Sequence, residues 1–440
     1  MDWSEQKIQE ACAAYQTPFY LYNQSQLMGN YEWLFSNLHD SVNIYLSLKT
    51  NNNIYLANLF QQAGSGVEVA SSGELTLALK AGFSPDRIIM SGPGKTVNDL
   101  TTAVDIGIRS INVESIDELH IISQIATKKE KIVPVSVRIN PDFKAKKPTI
   151  SMGGNPRQFG VDESQLNVFF ESLTSLHNLK FLGIHIYLGT QILLSETIVE
   201  SMKYTIELAS LIKETYGFTS TLINLGGGFG VPYFPHEQPL DIKKLLEEIN
   251  ALIIDYTKIN EDTKFIIESG RFLLADYGIY VATILYKKIS KGQTFLVTDG
   301  GMHHHVSSTF RGRTMRNNFP LKLISSSKRH EAALSERVNI TGVLCTPEDC
   351  MALGVDLPAA EPGDRIVWFK SGAYGLAYSP QQFLGHATPW ELLLNENEII
   401  VIRQRGTECD LFLNQVMDFQ ELKSEVPDGK RSKNEVMGIG

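Results

Sequence analysis

Residues 43–94 read NIYLSLKTNNNIYLANLFQQAGSGVEVASSGELTLALKAGFSPDRIIMSGPG, in which three short apolar runs are separated by helix-like stretches. Further runs of this kind follow, giving eight between about 42 and 270: NIYLSLK, GVEVASS, RIIMSGP, SINVES, VPVSVRINP, FLGIHIYLG, LINLGGG and FIIESG. Apolar strands alternating with helices are typical of a parallel sheet covered by helices. Eight units favour a closed TIM-like (β/α)8 barrel over an open doubly wound sheet.

After about residue 280 the pattern changes to strands joined by turns, as in YGIYVATILYKKIS, QTFLVTDGG, RVNITGVLCT, DRIVWFKSG and ELLLNENEIIVIRQRG. This indicates a second, mostly β domain. The early TPFYLYN also reads as a strand, and we expect it to join that domain. We therefore predict a barrel over 30–280, a β domain formed by 1–29 with 281–415, and a flexible polar tail over 416–440.

Composition excludes several classes of protein. The chain has 440 residues, 43% hydrophobic and 20% charged, which is ordinary globular composition. No apolar run is long enough to span a membrane, and the first residues do not resemble a signal peptide. The net charge of −9 argues against nucleic acid as a partner. Four cysteines are too few for a disulfide framework, so we expect a cytoplasmic protein.

Polar residues follow the apolar runs, where the active site of a (β/α)8 barrel lies. Lys49 follows an apolar strand; it is either a surface lysine or a desolvated amine with a lowered pKa, available for Schiff-base chemistry. Gly226–Gly228 form either a simple turn or a loop whose N–H groups approach a phosphate. Glu268 and Arg271 are either a surface ion pair or the partners of a protonated ring nitrogen and a phosphate.

The run of three histidines at 303–305 invites interpretation as a metal site. No second cluster of potential ligands has zinc-like spacing, so we predict no metal. We expect these histidines to line a pocket instead.

Together these features resemble the pyridoxal-phosphate decarboxylases of the alanine-racemase-like fold, which include diaminopimelate, ornithine and arginine decarboxylases. The resemblance runs from about 17 to 410. It rests on YLSLKTN, GVEVASSGEL, HIYLGTQ, NLGGGFG, ESGR, VLCTPEDCMA and GAYGLAYSPQQFLGH, seven motifs in the family's order.

The resemblance implies a role for each matching residue. Lys49 is the Schiff-base lysine, Glu268 holds the pyridinium N–H, and Cys345 protonates the carbanion from the partner subunit of a homodimer with shared active sites. The remaining residues implied to contact the pyridoxal 5′-phosphate cofactor are Glu68, Tyr187, Gly226, Gly227, Gly228, Arg271 and Tyr374.

Several positions depart from the family pattern, and Glu68 stands where ornithine decarboxylases carry Asp. Tyr187 stands where the family usually has a His that stacks on the cofactor; a tyrosine can also stack. Ser307 and Thr346 stand where diaminopimelate decarboxylases carry an Arg and a Glu that grip the distal end of the substrate. Losing buried charged partners costs several kcal/mol of discrimination, so free diaminopimelate is disfavoured.

The stretch RGRTMRNNFPLK (311–322) is locally basic in an acidic chain. It is either a solvated loop or a dock for an acidic carrier protein. GGMHHH, STFRGR, CTPEDC and SGAYG resemble decarboxylases of butirosin-type biosynthesis, which convert a glutamyl group on an acyl carrier protein to 4-aminobutyryl. The residues expected to contact the substrate are His305, Arg311, Arg313, Glu348 and Asp349.

We therefore predict a pyridoxal-phosphate-dependent carboxy-lyase acting on an aminoacyl group, most simply glutamyl, on a carrier protein. Within enzymes the alternatives are decarboxylation of free meso-diaminopimelate or another free diamino acid, and racemisation, which the Cys345 motif disfavours. From another class the alternative is an inactive relative that only binds a partner protein. The presence of all the cofactor residues disfavours it.

Overall fold

A computed structural model describes residues 3–142, 150–151, 154–311, 317–326 and 335–416. From residue 417 onward, the predicted tail lies outside the described residues. The strands are β1 (Phe19–Asn23), β2 (Val42–Ser47), β3 (Gly66–Val69), β4 (Ile88–Met90), β5 (Ser110–Val113), β6 (Val133–Asn140), β7 (Ile150–Ser151), β8 (Val161–Asp162), β9 (Leu179–His185), β10 (Gly189–Thr190), β11 (Leu222–Asn224), β12 (Lys264–Ser269), β13 (Gly278–Ser290), β14 (Gln293–Thr298), β15 (Leu321–Ile324), β16 (Ser335–Thr341), β17 (Cys350–Pro358), β18 (Arg365–Trp368), β19 (Trp390–Asn395) and β20 (Glu398–Arg403). The α-helices are α1 (Glu5–Ala14), α2 (Gln24–Ser36), α3 (Ile54–Gln62), α4 (Ser72–Lys80), α5 (Val97–Ile106), α6 (Ile116–Lys128), α7 (Leu166–Ser175), α8 (Ser195–Tyr216), α9 (Ile242–Thr257), α10 (Arg271–Leu274) and α11 (Met302–His305).

The eight predicted apolar runs form the predicted closed barrel. The parallel strands follow the order β5-β4-β3-β2-β12-β11-β9-β6, and pairing of β5 with β6 closes the ring. Strands such as β3 and β5 are buried at every residue because side chains fill the interior and helices cover the outside. Ser71 and Ser115 are the N-cap residues of α4 and α6, and each side chain accepts a hydrogen bond from a backbone N–H of the first turn. These caps fix where each strand ends and its helix begins.

The second sheet is mostly antiparallel and follows the order β17-β16-β14-β13-β1-β19-β20, with β18 on β13 and β15 on β18. As predicted, the early strand β1 joins it, antiparallel to β13 and parallel to β19. The sequence did not predict β15 or β17. β17 begins inside the Cys motif and contains Gly354, whose φ is +56°, so the alternating pattern that marks a half-buried strand is interrupted.

Buried polar contacts join the two sheets beside Lys49. The Asn51 amide donates to the Tyr22 hydroxyl on β1 at 2.9 Å, and the Asn53 amide donates to Glu391 on β19 at 2.7 Å. Asn53 also caps α3. The second domain therefore fixes the turn that follows β2. Within the described ranges, no helix is long and apolar enough to cross a membrane.

Candidate active site

A cavity opens to solvent at the carboxyl ends of the barrel strands. Most of the predicted cofactor residues meet there. The lining comprises Ser47, Lys49, Tyr187, Thr190, Gly228, Phe229, Glu268, Ser269, Gly270, Arg271 and Tyr374. They come from the ends of β2 and β12, from the loops after β9 and β11, and from the second domain, which supplies Tyr374.

Lys49 lies in a 3₁₀ turn directly after β2, and its Nζ is 2.7 and 2.9 Å from the two carboxylate oxygens of Glu68. The register pairs Ser47 of β2 with Glu68 of β3, which brings this carboxylate to the mouth. Burial lowers the pKa of Lys49, but Glu68 and Glu268 outweigh it, and the pKa is raised. The predicted lowering is wrong because the sequence did not reveal that two carboxylates face one amine.

Glu268 is buried on β12, and the Asn224 side-chain amide donates to its Oε1 at 2.7 Å. Burial, followed by the charge of Glu68, raises the pKa of Glu268 to about 7. The pKa of Glu68 is lowered: burial raises it, but the Lys49 ammonium more than compensates. Asn224 was not predicted. Its signal is its place at the end of β11, two residues before the triple glycine.

Arg271 is held between aromatic rings rather than in the surface ion pair considered from the sequence. Its Cζ lies 4.6 Å from the Tyr374 ring centroid, and its NH1 donates to the Tyr233 hydroxyl at 3.1 Å. Within the described residues, the buried Nε of Arg271 and Oγ of Ser269 have no hydrogen-bond partner. Tyr233 is a contact that the sequence did not predict. This end of the cavity therefore offers a positive charge and unused hydrogen-bonding groups.

The backbone of Gly226–Gly228, here called the glycine cradle, lies too close to its neighbours to leave room for side chains. A Cβ on Gly227 would lie 1.8 Å from the Glu268 carbonyl oxygen. Gly228 has φ +84°, and a Cβ there would lie 2.4 Å from the Gly189 carbonyl oxygen. Only glycine therefore allows this backbone to pass so close to β12 and to the loop after β9.

Tyr187 lines the cavity, with its ring centroid 6.0 Å from Lys49 Nζ. Burial raises its pKa to about 12, so the phenol is neutral at physiological pH. The ring can lie against a flat group, as expected from the sequence.

Of the residues predicted to contact substrate, Arg311 and Glu348 lie close together on the surface. Arg311 Nε is 3.8 Å from Glu348 Oε2, and both side chains are more than half exposed. Arg313 lies outside the described residues. Cys345 is exposed and does not line the cavity of its own chain.

Two of these residues, His305 and Asp349, are buried inside the second domain. His305 Nε2 is 2.8 Å from Ser371 Oγ, and Asp349 accepts hydrogen bonds from the backbone N–H groups of Met302 and Leu344. Both make hydrogen bonds to the surrounding loops, and their contact with a substrate stays a prediction. In the part of the chain that the structure describes, no group of His, Cys, Asp and Glu side chains is arranged to hold a metal.

Three comparisons with known proteins agree with this geometry. A family model described as pyridoxal-dependent decarboxylase, pyridoxal binding domain, matches residues 29–275. The chain is 48% identical over 421 residues to the L-glutamyl-[BtrI acyl-carrier protein] decarboxylase of Niallia circulans, covering 94% of this chain and 97% of that enzyme. It is 32% identical to a diaminopimelate decarboxylase of Helicobacter pylori, covering 92% and 96%.

Solved structures give the same result. The crystal structure of diaminopimelate decarboxylase from Helicobacter pylori complexed with L-lysine superposes with a TM-score of 0.83 at 29% identity, covering 95% of this chain and 100% of that one.

Proposed function

The chain belongs to the pyridoxal-dependent decarboxylases, which are carboxy-lyases, and we propose that it decarboxylates an aminoacyl group, glutamyl first, tethered to a carrier protein. The observation that carries the reaction type is one cavity lined by Lys49, Glu268, Gly228 and Arg271. The assignment of the substrate is supported by 48% identity across 94% of the chain to a carrier-dependent glutamyl decarboxylase.

The cavity fits pyridoxal 5′-phosphate. The unpartnered Nε of Arg271, the glycine cradle and Tyr374 suit the phosphate, and Tyr187 suits the face of the ring. Glu268 would hold the ring nitrogen, and Lys49 would hold the aldehyde carbon. When bound, the cofactor supplies an electron sink for the negative charge that remains on the α-carbon when CO2 departs.

The side chains of this chain provide the proton chemistry around that carbon. Glu68 accepts hydrogen bonds from Lys49 Nζ through both carboxylate oxygens, so it orients the amine. Cys345 would deliver the final proton to the α-carbon. Because Cys345 is exposed and does not line its own cavity, we assign it to the cavity of a second copy, which makes the active unit a homodimer.

The outer face of the site, which comprises Ser307, Arg311, Cys345, Thr346 and Glu348, supports a tethered substrate. Ser307 Oγ donates to the Tyr374 carbonyl oxygen at 2.7 Å, and Thr346 is likewise uncharged, so neither offers a charge to the distal ammonium and carboxylate of free diaminopimelate. Arg311 is exposed and can meet an acidic carrier surface. A carrier protein delivers its substrate by docking, so the site needs no charged residues that bind the distal end of the substrate.

We assign the cofactor to a barrel domain over 30–280 and the outer face to a β domain formed by 1–29 with 281–415. All four cysteines, Cys12, Cys345, Cys350 and Cys409, are free, which supports a reducing compartment such as the cytoplasm.

The test is CO2 release by cofactor-loaded protein from glutamyl carrier protein, free glutamate and free meso-diaminopimelate at equal concentrations. We expect kcat/KM to be at least about 100-fold higher for the glutamyl carrier than for either free amino acid. Lys49→Ala protein is the blank. Faster release from free diaminopimelate would contradict the carrier proposal while leaving the decarboxylase assignment intact.

A further inference from the structure

His185, at the end of β9, is a buried titratable residue that the mechanism above does not use. Its side chain is 1% exposed. Its Nε2 lies 3.5 Å from Glu268 Oε1 and, among the described residues, makes no hydrogen bond with good geometry. Buried polar atoms normally have a hydrogen-bond partner, so a buried ring nitrogen that faces the Glu268 carboxylate needs a physical reason.

The neighbours of His185 determine which nitrogen carries the proton. The Asn112 amide nitrogen, which can only donate, lies 3.2 Å from His185 Nδ1. The same amide nitrogen donates to Ser91 Oγ at 2.9 Å, so its two hydrogens serve the hydroxyl and the ring nitrogen. His185 Nδ1 is therefore the acceptor, and the proton of the neutral ring is on Nε2, facing Glu268.

Burial, followed by the positive charge of Arg138, lowers the pKa of His185 well below its usual value, so the ring stays neutral. It can therefore present an N–H to Glu268 without adding a charge. Asn224 already donates to the same oxygen at 2.7 Å. Two donors on one carboxylate oxygen favour its ionised form.

We propose that His185 is a positioning residue that stabilises ionised Glu268 and so keeps the shared proton on the ring nitrogen of the bound cofactor. Asn112 and Ser91 fix the tautomer that this role requires. The inference rests on the proposed role of Glu268. It is a supporting contact of the kind that orients ligand-holding groups in other cofactor and metal sites.

The experiment uses the loaded enzyme with pyridoxal phosphate that is ¹⁵N-labelled in the ring, and reads the ring-nitrogen protonation by NMR. In the wild type we expect a protonated ring nitrogen. In His185→Leu the ratio of protonated to unprotonated ring nitrogen falls about tenfold, as expected for the loss of one donor to a buried carboxylate. His185→Gln retains an N–H donor and restores the wild-type signal. His120→Asn, on the exposed side of α6, is the matched control and leaves the signal unchanged.

Asn112→Leu provides an independent variant, because it leaves His185 in place but removes the group that fixes its tautomer. We expect a smaller shift in the same direction. An unchanged ring-nitrogen signal in His185→Leu overturns the proposal; if that variant does not fold, an unchanged signal in Asn112→Leu does so. A wild-type cofactor whose ring nitrogen is unprotonated would instead overturn the role of Glu268 itself, so the two failures are distinguishable.

Discussion

The barrel mouth around Lys49 and the outer face around Cys345 differ in how completely one chain builds them. At the mouth, Glu68 and Glu268 are almost fully buried, and each makes a close contact with a neighbouring side chain. On the outer face, Arg311 and Glu348 are 56% and 54% exposed and 3.8 Å apart. Cys345 is also exposed.

We propose that the buried mouth carries the chemistry and the exposed outer face the choice of substrate. Strand ends of a closed barrel converge whatever the loops do, so the residues at the mouth are held by the fold itself. Residues on the outer face lie in loops of the second domain, where exposure allows change and contact with another molecule. The departures from the diaminopimelate decarboxylase pattern at Ser307 and Thr346 lie on this side. Substitutions on each side can break that separation.

Lys49→Ala should abolish function at the mouth. We expect CO2 release to fall about 10³-fold or more, because the amine that attaches the cofactor is removed. The absorbance of the bound cofactor and borohydride trapping should show that covalent attachment is lost, whereas Lys203→Ala, an exposed lysine on α8, retains it. Covalent attachment in Lys49→Ala would contradict the assignment.

Cys345→Ala should lower kcat without weakening cofactor binding. Removing a general acid costs about 10²- to 10⁴-fold in rate. Cys409→Ala, another exposed free cysteine, is the control and should match the wild type. If cofactor affinity dropped as much as kcat, the thiol would belong to the cofactor pocket and the contrast between the two regions would fail.

Arg311→Ala should raise KM for the carrier substrate about two- to tenfold and leave thermal stability within about 0.5 kcal/mol, because its ion pair with Glu348 is exposed. Arg337→Ala breaks an exposed ion pair with Asp356 in the same domain and is the matched control. An equal change in KM for both variants would indicate a general charge effect and not a docking site.

The free energy of unfolding should depend on pH through the buried Glu268 carboxyl group at the barrel mouth. With its pKa raised to about 7, Glu268 keeps a proton in the folded, cofactor-free chain that the unfolded chain loses near its ordinary pKa of about 4.3. The free energy of unfolding should therefore fall as pH rises between these values, by at most about 1.4 kcal/mol per pH unit from this group. Glu268→Gln should flatten that slope in thermal unfolding from pH 4.5 to 7. An unchanged slope would mean that Glu268 is already ionised there.

The apolar runs predicted the barrel because its strands are buried on both sides and so are mostly apolar. They did not predict β17, whose glycine and Cys motif disturb the alternation of an edge region. Single residues at strand ends located Lys49, Glu268 and Arg271. Partners supplied from other strands and loops, such as Asn224 and Tyr233, depend on register and loop path, which no local pattern records. For the same reason, a buried location for His305 and Asp349 was not foreseen.

The sharing of active sites between two subunits is tested most directly by mixing Lys49→Ala protein with Cys345→Ala protein and measuring CO2 release from the glutamyl carrier. If each site takes its lysine from one chain and its thiol from the other, an equal mixture allowed to exchange subunits should regain about a quarter of wild-type activity, since half of the dimers then contain one intact site. Activity that stays at the level of the separate variants would show that Lys49 and Cys345 do not act across two chains, contrary to the account.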